Sequence, residues 1–156
     1  MMKFKTTYIH SLSAYNNYLK GVQGQLSLPE LRDVNKLFRK VREEVLIDTE
    51  NAMNIKRQDY VKIQNESVNE KDEKKKTELQ AKLRAIEKEF EVMQNKEIEV
   101  EVMKEGLLAF KKIYEGTKVE HLEQVSKDGK KDRDVATILN FENFYDEVES
   151  SLSEIK

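Results

Sequence analysis

From Leu31 to Ile55 apolar residues recur at alternating steps of three and four: Leu31, Val34, Phe38, Val41, Val45, Ala52 and Ile55, with Asp48 the polar interruption. Such steps hold side chains on one face of an α-helix, and a row this long is the seam of a coiled-coil-like helix. Ser27-Leu28-Pro29-Glu30 supplies its start. The Ser27 hydroxyl can accept from the Glu30 amide while Glu30 reaches back, and Pro29 falls in the first turn, where a missing N–H costs nothing. Leu46, Met53 and Tyr60, spaced by sevens, widen the apolar face. No proline or glycine interrupts until well beyond residue 66. A helix from Leu28 to about Glu66 would be nearly 60 Å long, at about 1.5 Å per residue. It must lie against a partner to bury its seam.

The chain supplies that partner. Residues 66–76 are apolar only at Val68 and read as an exposed connection. Leu79, Leu83, Ile86, Phe90 and Met93 then repeat the spacing. Two seamed helices with a polar link fold back as an antiparallel hairpin. The alternative is one helix running through 66–76, since Glu and Lys are good helix formers. Past Met93 the period becomes two: Glu97-Ile98-Glu99-Val100-Glu101-Val102 alternates as a half-buried strand does. A continuing helix is its rival. Lys3-Phe4-Lys5 alternates too, and would pair with Ile98–Val102 as a small two-stranded ribbon.

The flanks read as shorter helices. Tyr8, Ile9, Leu12, Tyr15 and Leu19 make about three turns closed by Gly21. Lys104 to Glu115 turns Leu107, Leu108, Phe110, Ile113 and Tyr114 inward, with Gly116 as its C-cap. Residues 117–134 are polar, with Asp128-Gly129 a turn signal. Phe141, Phe144, Tyr145, Val148, Leu152 and Ile155 form a last stripe, with Asn140 as N-cap. The fold expected is mainly α: a long antiparallel coiled-coil-like hairpin over 28–95, with short N- and C-terminal helices packed at its base. Residues 1–27 are its N-terminal helix and lead-in, and 96–156 its extended segment and C-terminal helices, all in one domain.

Composition narrows the function. Of 156 residues 37% are charged, with 28 Lys and Arg against 30 Asp and Glu, so the net charge is −2. That near balance argues against a dedicated nucleic-acid binder, which needs a basic excess. The chain has no cysteine, which removes zinc ribbons, iron–sulfur clusters and thiol nucleophiles and suits a cytoplasmic location. No apolar run approaches the roughly 20 residues that span a bilayer, and no apolar stretch follows the lysines of the N-terminus as a signal peptide requires.

Candidate chemistry is sparse. His10 and His121 fall in separate segments and read as exposed surface histidines. Glu87, Glu89, Glu91, Glu97, Glu99 and Glu101 alternate with lysine or apolar residues as a solvated face does. Asp128 to Asp134 has its glycine second and lysines where a calcium loop needs oxygen ligands. Gly21-Val22-Gln23-Gly24 lacks the lysine and hydroxyl of a phosphate cradle, and Ser11, Ser13 and Ser27 have no nucleophile elbow. No catalytic group, cofactor or metal ligand is therefore expected. Arg32, Lys36, Arg39, Lys40, Arg42 and Arg57 lie off the seam, and Lys71, Lys74, Lys75 and Lys76 form the densest basic cluster. Tyr8, Tyr15 and Tyr18 read as packing onto the hairpin base, with interface anchors the alternative.

Three segments carry a resemblance: Tyr18-Leu19-Lys20-Gly21 leading into the helix of Leu31 to Ile55; Phe90-Glu91-Val92-Met93 with Glu97-Ile98-Glu99-Val100; and Asn143-Phe144-Tyr145-Asp146-Glu147-Val148-Glu149. The chain resembles a family of small proteins of unknown function encoded by bacteriophages and prophages of Gram-positive bacteria. The resemblance implies a viral origin, a host-cell cytoplasm and no enzymatic activity. The function expected is protein–protein interaction: binding and inhibiting a host defence or replication protein. A virion assembly chaperone or minor structural protein is the alternative, and a nucleic-acid-binding accessory protein the second. Self-association, to at least a dimer, is expected. The most concentrated single-sign charges, Lys74, Lys75, Lys76, Glu97, Glu99 and Glu101, are the expected partner contact.

Overall fold

The structure is a computed structural model that describes residues 1–18, 26–116 and 131–154, with side chains in the last segment described from 138 onward. It is mainly helical with one small antiparallel sheet. The order is β1 (Met2–Thr6), α1 (Tyr8–Asn17), α2 (Leu28–Val41), a π-helical turn (Arg42–Ile47), α3 (Asp48–Asn69), α4 (Glu73–Asn95), β2 (Ile98–Val102), α5 (Lys104–Gly116) and α6 (Lys131–Ser153).

The start of α2 has both halves of the expected box: Ser27 Oγ accepts from the Glu30 amide at 3.4 Å, and Glu30 Oε1 from the Ser27 amide at 3.1 Å. Val41, Arg42, Ile47 and Asp48 all keep right-handed helical dihedrals, so α2, the π turn and α3 form one rod about 60 Å long. Up to Val45 the expected seam faces inward: Leu31 is half-buried, and Val34, Phe38, Val41 and Val45 are at most 1% exposed. Beyond it the seam departs from expectation. Asp48, Ala52 and Ile55 face solvent, and the inward row runs through Leu46, Thr49 and Met53, with Lys56, Tyr60 and Ile63 half-buried. Each position is one residue late. A π turn holds one residue more than the α turn it replaces, and that residue lets the adjacent Val45 and Leu46 both turn inward. The original row would have buried the Asp48 carboxylate, which is costly without a partner.

The connection is also shorter than expected. The helix formers of 66–69 continue α3 to Asn69, and Asp72 caps α4 by accepting from the Lys74 amide at 3.2 Å, leaving only 70–72 between helices. On α4 the inward residues are those expected: Ile86 is buried and Leu79, Leu83, Phe90 and Met93 half-buried. The helices run antiparallel, tied by Lys56 to Glu89 at 3.0 Å, Tyr60 Oη to Glu87 Oε1 at 3.0 Å, and the Tyr60 and Phe90 rings. Between residues 54 and 85 Ser67 is the single buried residue, so among the described residues the two helices here cover mainly each other.

β1 and β2 pair antiparallel, with Met2 opposite Val102, Phe4 opposite Val100 and Thr6 opposite Ile98. Phe4, Val100 and Val102 face the core, whereas Lys3, Lys5, Glu99 and Glu101 face water. Phe38 from α2 meets Phe110 from α5 and Phe144 from α6, each at 5.8 Å between centroids, and Phe4 packs edge-on against Phe144 at 5.2 Å. The expected tyrosine packing holds: Tyr18 stacks on Phe38 at 4.1 Å and donates to Asn35 Oδ1, and Tyr8 donates to Glu50 Oε1. α1 lies along α6. Its fully buried residues there are Ser11 and Ala14 rather than Ile9 and Leu12, because small side chains permit close approach. A Cβ on Gly106 would stand 3.0 Å from Leu37 Cβ, so α5 crosses α2 equally closely.

Three further expectations are corrected. Leu108 is 46% exposed, its direction along α5 being opposite to the row of Leu107, Phe110 and Ile113. α6 begins at Lys131, so Asn140 lies inside it rather than capping it, and 131–134 are helical. Leu19, Gly21 to Gly24, His121, Asp128, Gly129 and Ile155 lie outside the described residues.

The phase shift gives a direct test. Met53→Ala should cost about 2–5 kcal/mol by chemical denaturation, whereas Ile55→Ala, at an exposed site, should change stability by less than about 0.5 kcal/mol. Equal losses would show that the helix keeps one phase through the π turn.

Candidate functional site

The residues nominated from sequence fall into two groups at opposite ends of α4. Lys74, Lys75 and Lys76 occupy its exposed first turn, at the end of the helix pair. Glu97, Glu99 and Glu101 follow its other end, roughly 30 Å away at 1.5 Å per residue. The structure does not bring them together. Nor are the glutamates a single-sign patch, because Lys5 sits opposite Glu99 and Lys3 opposite Glu101 in the ribbon. Alternation alone did not reveal this, because it does not show which strand lies alongside.

A different group is assembled where β1, α1 and α6 meet. Thr7 caps α1 by accepting from the His10 amide at 3.2 Å, which fixes the first turn. That turn carries His10 toward Glu147 on α6, with Nδ1 3.1 Å from Oε1. The same Oε1 accepts from the Thr6 hydroxyl at 3.0 Å, and Thr6 Oγ1 lies 3.0 Å from Ser11 Oγ. Thr6 and Ser11 are fully buried, while the His10 and Glu147 side chains keep about a fifth of their surface exposed. His10 is thus not the exposed histidine expected. Sequence did hold a signal for Glu147: it stands three residues after Phe144 and one before Val148, on the inward face of α6.

Burial governs the electrostatics. It pushes the Glu147 carboxyl up to about 8, with Glu97 and Asp146 adding to the rise and the Thr6 bond opposing it. Burial also holds the His10 imidazole below its ordinary value. At neutral pH the contact is therefore a hydrogen bond between a largely protonated carboxyl and a neutral ring, not an ion pair. Glu147 also borders an open groove of about 610 Å³ whose walls include Lys3, Lys5, Glu99 and Ser150. A carboxyl that titrates near neutrality beside a groove has the proton affinity general acid–base chemistry uses. Its hydroxyl neighbours are committed elsewhere: Ser11 is sealed behind Thr6, and Ser151 donates to the Lys3 carbonyl at 3.2 Å. Among the described residues no three His, Cys, Asp or Glu side chains are grouped to hold a metal ion.

A second polar cluster lies on the outer side of α5 and α6. Tyr145 stacks on Tyr114 at 4.0 Å, and its hydroxyl lies 2.6 Å from Glu149 Oε1 and 2.9 Å from Glu115 Oε1. The bond to Glu149 raises the phenol well above its ordinary value, and the same bond, with that from Lys111, lowers Glu149. These pairings fasten α5 to α6 and leave no group unbonded for chemistry.

Comparison with protein-family models, curated proteins and solved structures finds no match to this chain. Among the described residues no helix is long and apolar enough to cross a membrane.

The folded Glu147 carboxyl holds its proton more tightly than an ordinary one, near 4.5. The stability this contributes is fully present below about 4.5, falls as pH rises toward about 8, and is gone above that. His10 acts in the opposite direction at the acid end, in wild type and variant alike. Glu147→Gln should therefore gain melting temperature relative to wild type between pH 5.5 and pH 8.5. Parallel curves would show that Glu147 is ionised throughout.

Proposed function

We propose that this chain is a protein–protein interaction protein and not an enzyme, and that α3 and α4 form a coiled-coil-like hairpin acting as an arm that engages a partner. The observation that carries this reading is the burial along the arm. Each helix turns one row inward and leaves Ile55 67%, Val61 48%, Val68 75% and Val92 67% exposed. Two helices packed only on each other cannot cover apolar residues on their outer sides, and such residues on a rigid helix are what a partner helix or groove reads. The π turn supports the reading, since such turns are frequent at functional sites. Lys74, Lys75 and Lys76 at the arm's end supply a charged rim; Glu97, Glu99 and Glu101 belong to the ribbon at its base.

Following the sequence resemblance, the partner is a host-cell protein of defence or replication, blocked in a bacterial cytoplasm by a phage-encoded binder. The same exposed apolar residues favour self-association into at least a dimer, a C₂ pairing being the commonest arrangement.

Affinity capture from a Gram-positive host lysate, followed by mass spectrometry, should recover one such host protein. Ile55→Glu combined with Val92→Glu should abolish recovery while leaving the circular-dichroism spectrum and melting temperature unchanged. Full recovery by this variant would remove the arm from the interface. Copurification with phage particles instead would make the chain a virion component. Light scattering should give a dimer or larger at micromolar concentration, and a monomeric mass would end the self-association claim.

A further inference from the structure

Among the described residues β1 is bonded on both edges, to β2 and to Ser151 of α6, and β2 on only one. The Ser151 hydroxyl donates to the Lys3 carbonyl from α6, so that carbonyl points away from β2. In an antiparallel strand the N–H and C=O of one residue point to the same side and successive residues alternate. Met2, Phe4 and Thr6 therefore exchange ladder bonds with Val102, Val100 and Ile98. The backbone groups of Glu99 and Glu101 point outward, along the free edge. Among the described residues no backbone bond from outside the ribbon reaches Glu99 or Glu101. An edge of this kind is a template for one more strand.

We propose that the free edge of β2 binds an extended segment of a partner protein in which Lys or Arg alternates with apolar residues. The charges select this occupant. Glu99 and Glu101 point to the solvated face, with Glu97 leading into the strand and exposed. On the β1 side Lys5 and Lys3 stand opposite Glu99 and Glu101; on the other side no described strand does. An added strand places its own alternate residues beside the same glutamates, and opposite charges directly across a strand pair stabilise it. A second copy of β2 is selected against, because it would set glutamate against glutamate. β1 itself has the favoured pattern, Met2-Lys3-Phe4-Lys5-Thr6, and is already paired within the chain.

An apolar pocket of about 150 Å³ lies at the end of the ribbon, beside Glu101, Val102 and Met103 and walled by Met1, Leu37 and Gly106. That volume takes one aliphatic side chain. Asp33, Lys36 and Lys40 also line it, two cations to one acid around an apolar floor, so the residue that enters is apolar, and the basic residues lie toward Glu97 and Glu99. This surface is separate from the arm: it contains none of Ile55, Val61, Val68 or Val92, and its test does not depend on theirs.

The test uses the full chain and an acetylated, amidated eight-residue peptide of alternating Lys and Val, followed by backbone amide NMR and hydrogen exchange. The peptide should shift the amide signals of residues 97–103 and slow exchange at Glu99 and Glu101 at least tenfold at saturation. Glu99→Lys with Glu101→Lys should weaken binding at least tenfold, and a Glu–Val peptide should not bind. Glu99→Pro removes one outward N–H without touching the β1 ladder, and should weaken binding while leaving the exchange of Val100 and Val102 unchanged. If the Glu99→Pro variant loses the ribbon, the peptide comparison on wild type decides. No shifts at 97–103 up to about 1 mM peptide, equal binding of the Glu–Val peptide, or shifts confined to α3 and α4 would each overturn the proposal.

Discussion

Phe38 is the side chain through which the separate pieces of this molecule become one. It lies on the long rod, 1% exposed, and around it stand rings from three other helices: Tyr15 and Tyr18 from the α1 region, Phe110 from α5 and Phe144 from α6. Phe144 in turn holds Phe4 of β1, and Phe110 holds Phe141. Each aromatic pair contributes about 0.5–1.5 kcal/mol beyond its area burial. More important is what the cluster joins. The first strand and the last helix, far apart in sequence, are joined to the rod through this cluster. The ribbon, the Glu147 contact and the root of the arm all inherit their positions from this packing.

The π turn follows from asking one helix to serve two partners. Through Val45 the rod faces the phenylalanine cluster, the π turn meets α1, and α3 beyond it pairs with α4. A helix of strict phase would have carried Asp48 inward, with only Ala52 and the isolated Ile55 to fill the arm's seam. One inserted residue hands the seam to Leu46, Thr49 and Met53, larger apolar or easily bonded groups, and sends Asp48 to water. The turn lies where α1 packs against the rod, so neighbouring helices hold the irregular segment. Local periodicity and tertiary demand disagree there, and tertiary demand prevails.

Legibility in the sequence follows the range of the interaction. The Ser27–Glu30 box, the inward row of Leu79 to Met93 and the alternation of 98–102 are local, set by neighbours within four residues, and all stand as read. The phase of Asp48 to Ile55 is not local. Both rows, Val45–Ile55 and Leu46–Tyr60, are visible in the chain, and only the packing on α1 and α4 selects between them. Glu147 and His10 were missed for a related reason. Nothing beside His10 marks it as inward, and the place of Glu147 on the inward face of α6 does not name a partner 137 positions away. Lys3 and Lys5 neutralise the row of Glu99 and Glu101 only because β1 lies beside β2, a pairing legible as a pattern but not as a charge balance.

The polar contacts of α6 show how register is fixed where the core alone would permit sliding. Along its inward face Phe144 and Val148 are apolar and would tolerate displacement by a turn, since any greasy side chain fills a greasy hole tolerably. Glu147 and Ser151 would not. Thr6 and Ser11 are fully buried hydroxyls, and a buried hydroxyl left unbonded costs about 1–3 kcal/mol. Glu147 answers Thr6 and Ser151 answers the Lys3 carbonyl in one alignment of α6 on β1. A slip of one turn would forfeit both and bury an unmatched carboxyl. The upward shift of Glu147 is thus a cost of alignment: the acid is kept in an apolar setting because its oxygen is the acceptor that holds the strand. Among the described residues β1 is thus held between α6 and β2, which leaves the outer edge of β2 as the side of the ribbon without a neighbouring strand.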